Sequence, residues 1–96
     1  MLKRILFSLL AISCFFLSIS GASNRFTLVI DAGHGGHDSG ARGAISSEKD
    51  LTLKFSLAFG RMVEQRCPDV KVVYTRKNDI FVPLHTRADI ANKAKA

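Results

Sequence analysis

An apolar, β-rich run, Phe26-Thr27-Leu28-Val29-Ile30, stops at Asp31 and gives way to Ala32-Gly33-His34-Gly35-Gly36-His37-Asp38-Ser39-Gly40. This junction constrains the fold more than any other stretch of the chain. A short apolar run bounded by glycines reads as a buried strand. Strands that are apolar along their whole length belong mostly to parallel sheets covered on both faces. In open α/β sheets, ligands bind beyond the carboxyl ends of the strands, which is where His34 falls. The glycines around it let the backbone bend sharply and approach a ligand closely.

The chain beyond the turn continues in the same style. Ser47 is suited to cap a helix, with Asp50 three residues on as a capping-box-like partner. The helix is expected to run to about Arg66 and to be ended by Pro68. Leu51, Phe55, Phe59 and Met62/Val63 form one apolar stripe, widened by Leu53 and Leu57, and are expected to be core. Asp50 and Lys54 have the spacing of a helical charge pair. Gly60, a poor helix former, points to close packing on the sheet. Val70 to Thr75 reads as a second strand around a strongly β-forming Val-Val-Tyr centre. Strand, helix and strand in this order make a βαβ unit, expected parallel and right-handed.

Arg76 to Val82 is then a loop on the same edge as His34. Pro83 opens a further helix at the favoured first position, continued by Leu84, Ala88, Ala91 and Ala94. This helical pattern runs to the last residues without a stop signal. The expected fold class is α/β: the βαβ start of a mixed or parallel sheet flanked by helices in three αβα layers, incomplete in this chain.

Residues 1–22 read differently. Met1-Leu2-Lys3-Arg4 is a basic head, Ile5 to Ser20 is uncharged and apolar, and Ser20-Gly21-Ala22 supplies small residues. That is the layout of a secretory signal peptide cleaved after Ala22. The apolar run is shorter than the roughly 20 residues that a membrane-spanning helix needs, so no stable membrane anchor is expected after cleavage. The product is expected to be secreted, periplasmic or in the cell envelope. Cleavage removes Lys3 and Arg4, two of the six net positive charges. The remaining excess suits an acidic partner, although charge balance speaks to association rather than fold. No Lys/Arg-rich run with interleaved aromatics is present, so nucleic-acid binding is not expected. Cys67 alone remains in residues 23–96, which gives no disulfide framework; it reads as a half-buried thiol after the helix.

His34 and Glu48 are the residues with chemical potential. Imidazole nitrogen and carboxylate oxygen are both normal zinc donors, and two histidines with one glutamate make a known hydrolytic site. The plainer reading is a loop histidine bonded to backbone, and a glutamate placed at a helix start by the dipole. His85 reads as an exposed polar residue, and His37 is ambiguous. A dinucleotide-binding G-x-G-x-x-G fails because Asp38 stands where the last glycine is needed. A P-loop fails because Ala41-Arg42 follows Gly40.

Four blocks in order resemble the zinc-dependent N-acetylmuramoyl-L-alanine amidases of the amidase-3 type. They are Leu28 to Ala41, Ser47 to Leu51, Val72 to Arg76, and Pro83 to Asn92. The resemblance covers the first half of that family's catalytic domain, so residues 23–96 would be its N-terminal portion. It implies zinc-assisted hydrolysis of the amide between N-acetylmuramic acid and L-alanine, with peptidoglycan as partner and Zn2+ as cofactor. It maps His34 and Glu48 onto the first two zinc ligands. The family's third ligand and catalytic glutamate have no counterpart here, so no catalytic residue is assigned and the chain itself is expected to be inactive. Arg76 and Arg87 match family positions and read as structural or charge-pairing. The alternative is a short secreted module that binds cell wall or metal without catalysis.

Overall fold

The computed structural model describes residues 25–96. The signal-peptide segment therefore lies outside the described residues. Four elements follow in order: strand β1 (Phe26–Ile30), helix α1 (Glu48–Arg66), strand β2 (Val70–Tyr74) and helix α2 (Leu84–Lys93). The architecture is α/β, as the alternation of strand and helix signals implies.

β1 and β2 pair in parallel, with Phe26 opposite Val70 and Ile30 opposite Tyr74. The ladder extends one bond further, from the Thr75 N–H to the Ile30 carbonyl at 3.1 Å. In-register parallel pairing puts the carboxyl ends of both strands on one edge. Asp31 and Thr75 meet there, the threonine hydroxyl donating to Asp31 Oδ1 at 2.8 Å. The loop carrying His34 and the loop from Arg76 to Pro83 both leave from this edge. At the opposite end, the Arg25 guanidinium donates to the carbonyls of Pro68 and Val70.

α1 packs on β2 through its smallest side chains. Ser56 and Gly60 are its buried residues. A Cβ at Gly60 would stand 1.9 Å from Tyr74 Oη, so only glycine admits the tyrosine ring this close. The tyrosine hydroxyl then reaches Glu64 at 3.2 Å.

This arrangement corrects the expected core. Leu51, Phe55, Phe59 and Met62 are exposed, Phe55 by 75%, and Phe55 stacks on Phe59 with centroids 6.5 Å apart. A two-stranded sheet is narrower than the stripe, so the helix turns its Ser56/Gly60 face to the strands and leaves the phenylalanines outside. Both strands are only half-buried for the same reason. Ala32 and Val82, from the two loops, are the buried apolar residues among those described.

Two helix-end readings also change. Ser47 is the N-cap of α1, but its hydroxyl donates to Asp50 Oδ2 at 2.8 Å and makes no cap bond to the helix backbone. The Asp50 carboxylate is thereby engaged with Ser47 at the helix start. At the end of α2, Lys95 takes a left-handed φ of 57° and the Ala96 N–H closes onto the Ala91 carbonyl at 3.2 Å. That is the wrap-back geometry that ordinarily favours glycine. Lysine carries no sequence signal for it. Pro83 stands one residue earlier than expected, at the N-cap of α2.

Candidate metal centre

The loop leaving β1 is folded by its own backbone before any side chain acts. The Gly35 N–H donates to the Asp38 carbonyl at 2.8 Å, and the Asp38 N–H returns the bond to Gly35 at 3.0 Å. This tight turn places His34 in the left-handed region at φ 64°. A histidine held there costs about 1–3 kcal/mol unless its surroundings compensate. Further on, the Glu48 N–H donates to the Ala41 carbonyl and the Lys49 N–H to the Ser39 carbonyl, which lays the start of α1 against the loop.

The two backbone features bring His34 and Glu48 together, with Nε2 and Oε1 separated by 3.2 Å. Behind the ring, Asp38 Oδ2 lies 3.0 Å from Nδ1. With the proton on Nδ1, that nitrogen donates to Asp38 and leaves the Nε2 lone pair toward Glu48. A carboxylate behind a histidine is the usual means of fixing tautomer and ring orientation in a metal ligand. Asp38 is itself held by the Gly40 N–H at 3.1 Å, and Glu48 Oε1 by the Ala41 N–H at 3.0 Å.

The charges reinforce one another. The hydrogen bond to Asp38, opposed by partial burial and helped by Glu48, raises the His34 imidazole above its usual 6.5. The same bond, with the Gly40 N–H, lowers Asp38. The Ala41 N–H and then His34 lower Glu48.

The donor set fits a zinc ion as far as it goes. Two donors at zinc's usual N and O distances and tetrahedral angle stand about 3.3 Å apart, close to the His34–Glu48 separation. Gly40 leaves the space between them open: a Cβ there would come within 2.6 Å of Glu48 Oε1 and 2.8 Å of the His34 ring. Among the described residues, no three His, Cys, Asp or Glu side chains converge on one point. His37 is exposed and packs against Phe81, the two rings tilted by 42° with centroids 4.2 Å apart. His85 is exposed, and Cys67 is half-buried and unpaired.

The sequence reading paired His34 with Glu48 but missed Asp38 as the carboxylate behind the ring. Its place four residues after His34, within the same glycine turn, was the available signal. It also missed the Lys49–Asp79 latch. Lys49 Nζ contacts Asp79 at 2.9 Å and the Gly36 carbonyl at 3.0 Å, while Asp79 Oδ1 accepts the Gly36 N–H. These residues lie in separate segments, and no spacing rule links them.

A family model described as N-acetylmuramoyl-L-alanine amidase matches residues 28–96. The chain is 37% identical over 78 residues to the N-acetylmuramoyl-L-alanine amidase AmiC of Escherichia coli O6:H1, covering 80% of this chain and 18% of that protein. It is 45% identical over 67 residues to the endolysin of Bacillus phage SPP1, covering 70% of this chain and 24% of that one. Among solved structures it resembles the catalytic domain of CwlV, an amidase from Bacillus (Paenibacillus) polymyxa, at TM-score 0.71 and 40% identity, over 74% of this chain and 40% of that chain. The amidase from Clostridium difficile 630 gives TM-score 0.73 at 36% identity, over 77% of this chain and 40% of that chain. The chain thus spans about a quarter or less of the curated relatives and two fifths of the solved domains.

Proposed function

We propose, from the premise that this chain belongs to the amidase-3 family of N-acetylmuramoyl-L-alanine amidases, that residues 23–96 are the N-terminal portion of a zinc-dependent peptidoglycan amidase domain. The substrate is the amide between N-acetylmuramic acid and L-alanine. The single observation carrying this reading is the convergence of His34 Nε2 and Glu48 Oε1 at 3.2 Å, with Asp38 behind the imidazole. His34 and Glu48 would hold the ion. Zinc, when bound, supplies Lewis acidity toward the scissile carbonyl and makes water more acidic.

The chain's own residues contribute orientation. Asp38 holds the proton at Nδ1 and so keeps Nε2 free to coordinate. The Ala41 N–H keeps the Glu48 carboxylate ionised and turned to the imidazole. A recess of about 500 Å3 beside His34, walled by Gly33, Asp38, Phe81 and Val82, leaves room for a substrate chain. Residues 1–22 would direct export, so that the exported product begins at Ser23 in the cell envelope. No helix among the described residues is long and apolar enough to cross a membrane.

With two donors on the described residues, the 96-residue chain is expected to bind zinc weakly and to release no stem peptides from peptidoglycan. The test is a chimera in which residues 26–96 replace the matching part of the CwlV catalytic domain. Stem-peptide release that is lost with a chelator, and lost again in His34→Ala or Glu48→Ala, supports the reading. A folded chimera that releases stem peptides equally well with Glu48→Ala contradicts it, and would leave Glu48 as a helix-start carboxylate only.

A further inference from the structure

Two buried arginines converge on the backbone that carries the candidate ligands. Arg76 is 3% and Arg87 7% exposed, although each brings a charge that is costly to bury. Arg87 is paired with the Asp31 carboxylate. The hydrogen bonds of Arg76 all end on neutral oxygens. Burying a guanidinium against carbonyls makes physical sense where several inward-turned carbonyls lack backbone partners and a rigid five-donor fork can reach them together.

The targets are consecutive. Arg76 Nε and Arg87 Nη1 both donate to the Ala32 carbonyl, at 2.9 and 2.6 Å. Arg76 Nη2 donates to the Gly33 carbonyl at 2.9 Å, and Arg87 Nη2 to that of His34 at 2.8 Å. The same Arg76 Nη2 also reaches the Lys49 carbonyl at 3.0 Å. Gly33 immediately precedes one candidate ligand and Lys49 immediately follows the other. One guanidinium nitrogen therefore ties together the two segments whose side chains meet 3.2 Å apart. Arg87 grips the carbonyl of His34 itself, the residue in the left-handed conformation. Thr52 completes the clamp, its hydroxyl donating to the Gly33 carbonyl at 2.8 Å.

We infer that Arg76 and Arg87 are positioning residues for the candidate metal centre: their guanidiniums fix the 32–34 backbone and its distance from the start of α1, and so set His34 against Glu48. The link to metal rests on the function proposed above; the clamp itself does not. A lysine at either position keeps the charge but offers one nitrogen, which cannot serve three carbonyls in separate directions.

The test uses the full 96-residue chain, isotopically labelled, with Arg76→Lys, Arg87→Lys and Arg76→Ala compared by NMR and by zinc titration. In both lysine variants the β1 and β2 amide peaks should stay in place while those of residues 33–36 and 48–50 move. Zinc affinity should fall about 10–100-fold, the range for loss of a group that orients a ligand. Methylguanidinium added to Arg76→Ala should return the loop peaks toward their original positions. Wild-type loop peaks and zinc affinity in both lysine variants would overturn the inference. So would collapse of the β1 and β2 peaks in all three variants with methylguanidinium present, because the arginines would then brace the sheet and not the loop. Moved loop peaks support the clamp whether or not the wild-type chain takes up zinc; failure of the wild-type chain to bind zinc counts against the metal reading alone.

Discussion

His34 carries three constraints at once: a left-handed backbone, a carboxylate behind its ring and a second carboxylate before it. Each is open to a separate test. Gly40 also has positive φ and, lacking a Cβ, leaves the gap beside the ring open, so Gly40→Ala should push His34 and Glu48 apart. Zinc affinity should fall at least about tenfold, or about 1.4 kcal/mol, with the circular-dichroism spectrum unchanged; unaltered affinity would mean that the gap is not the binding space. The charges predict a pH window. His34 is raised in the folded chain, so its stabilising contribution is complete below the ordinary histidine value and is lost as pH rises through the folded one. Asp38 and Glu48 are lowered, so theirs is present above the ordinary carboxylate range and is lost as pH falls through the folded values. The metal-free loop should be tightest between these limits, measured as protection of the Gly40 and Ala41 amides from hydrogen exchange. Asp38→Asn should bring the His34 midpoint, followed by NMR, down toward 6.5; an unmoved midpoint would show that Asp38 does not govern the ring. Zinc uptake should weaken as pH falls below the His34 value, because the proton competes for Nε2.

At the scale of elements, α1 makes the sharpest prediction. Gly60→Ala would ordinarily stabilise a helix by about 1 kcal/mol. Here the new methyl would overlap the Tyr74 ring, and overpacking of that kind costs about 1–3 kcal/mol. The net change should be destabilising in urea titration, and a stabilised variant would show that the ring moves freely. Phe55→Ser should change the stability of the 96-residue chain by no more than about 0.5 kcal/mol, as befits an exposed site; a loss of several kcal/mol would put Phe55 back in the core. The same two residues mark how far the sequence was legible. Element order, the parallel pairing and the close approach at Gly60 could be read because strand runs, helix periodicity and an isolated glycine are local signals. The direction of the stripe could not. Periodicity identifies an apolar face, whereas the width of the sheet opposite decides whether that face is covered. His34 and Glu48 were legible from residue type and from family resemblance. Asp79 and Lys49 were assigned no role, and Arg76 and Arg87 only a structural or charge-pairing one, because their partners are backbone groups or side chains in other segments, which sequence spacing does not reveal.

For the molecule as a whole, the parallel register brings both loops to one sheet edge, and everything assigned to function lies there. β1 delivers the glycine turn with His34, α1 begins with Glu48, and the loop after β2 returns Arg76 and Asp79 beneath them. The chain matches 40% of the CwlV catalytic domain, and within that span it presents two converging donors. The most direct test is a zinc titration of the 96-residue chain beside His34→Ala, Glu48→Ala and the double variant. If both side chains hold one ion, the chain binds a single zinc weakly, each single substitution lowers affinity at least about tenfold, and the double variant loses little more than either single one. Single variants that bind zinc as the parent does would contradict the assignment of His34 and Glu48 as its ligands.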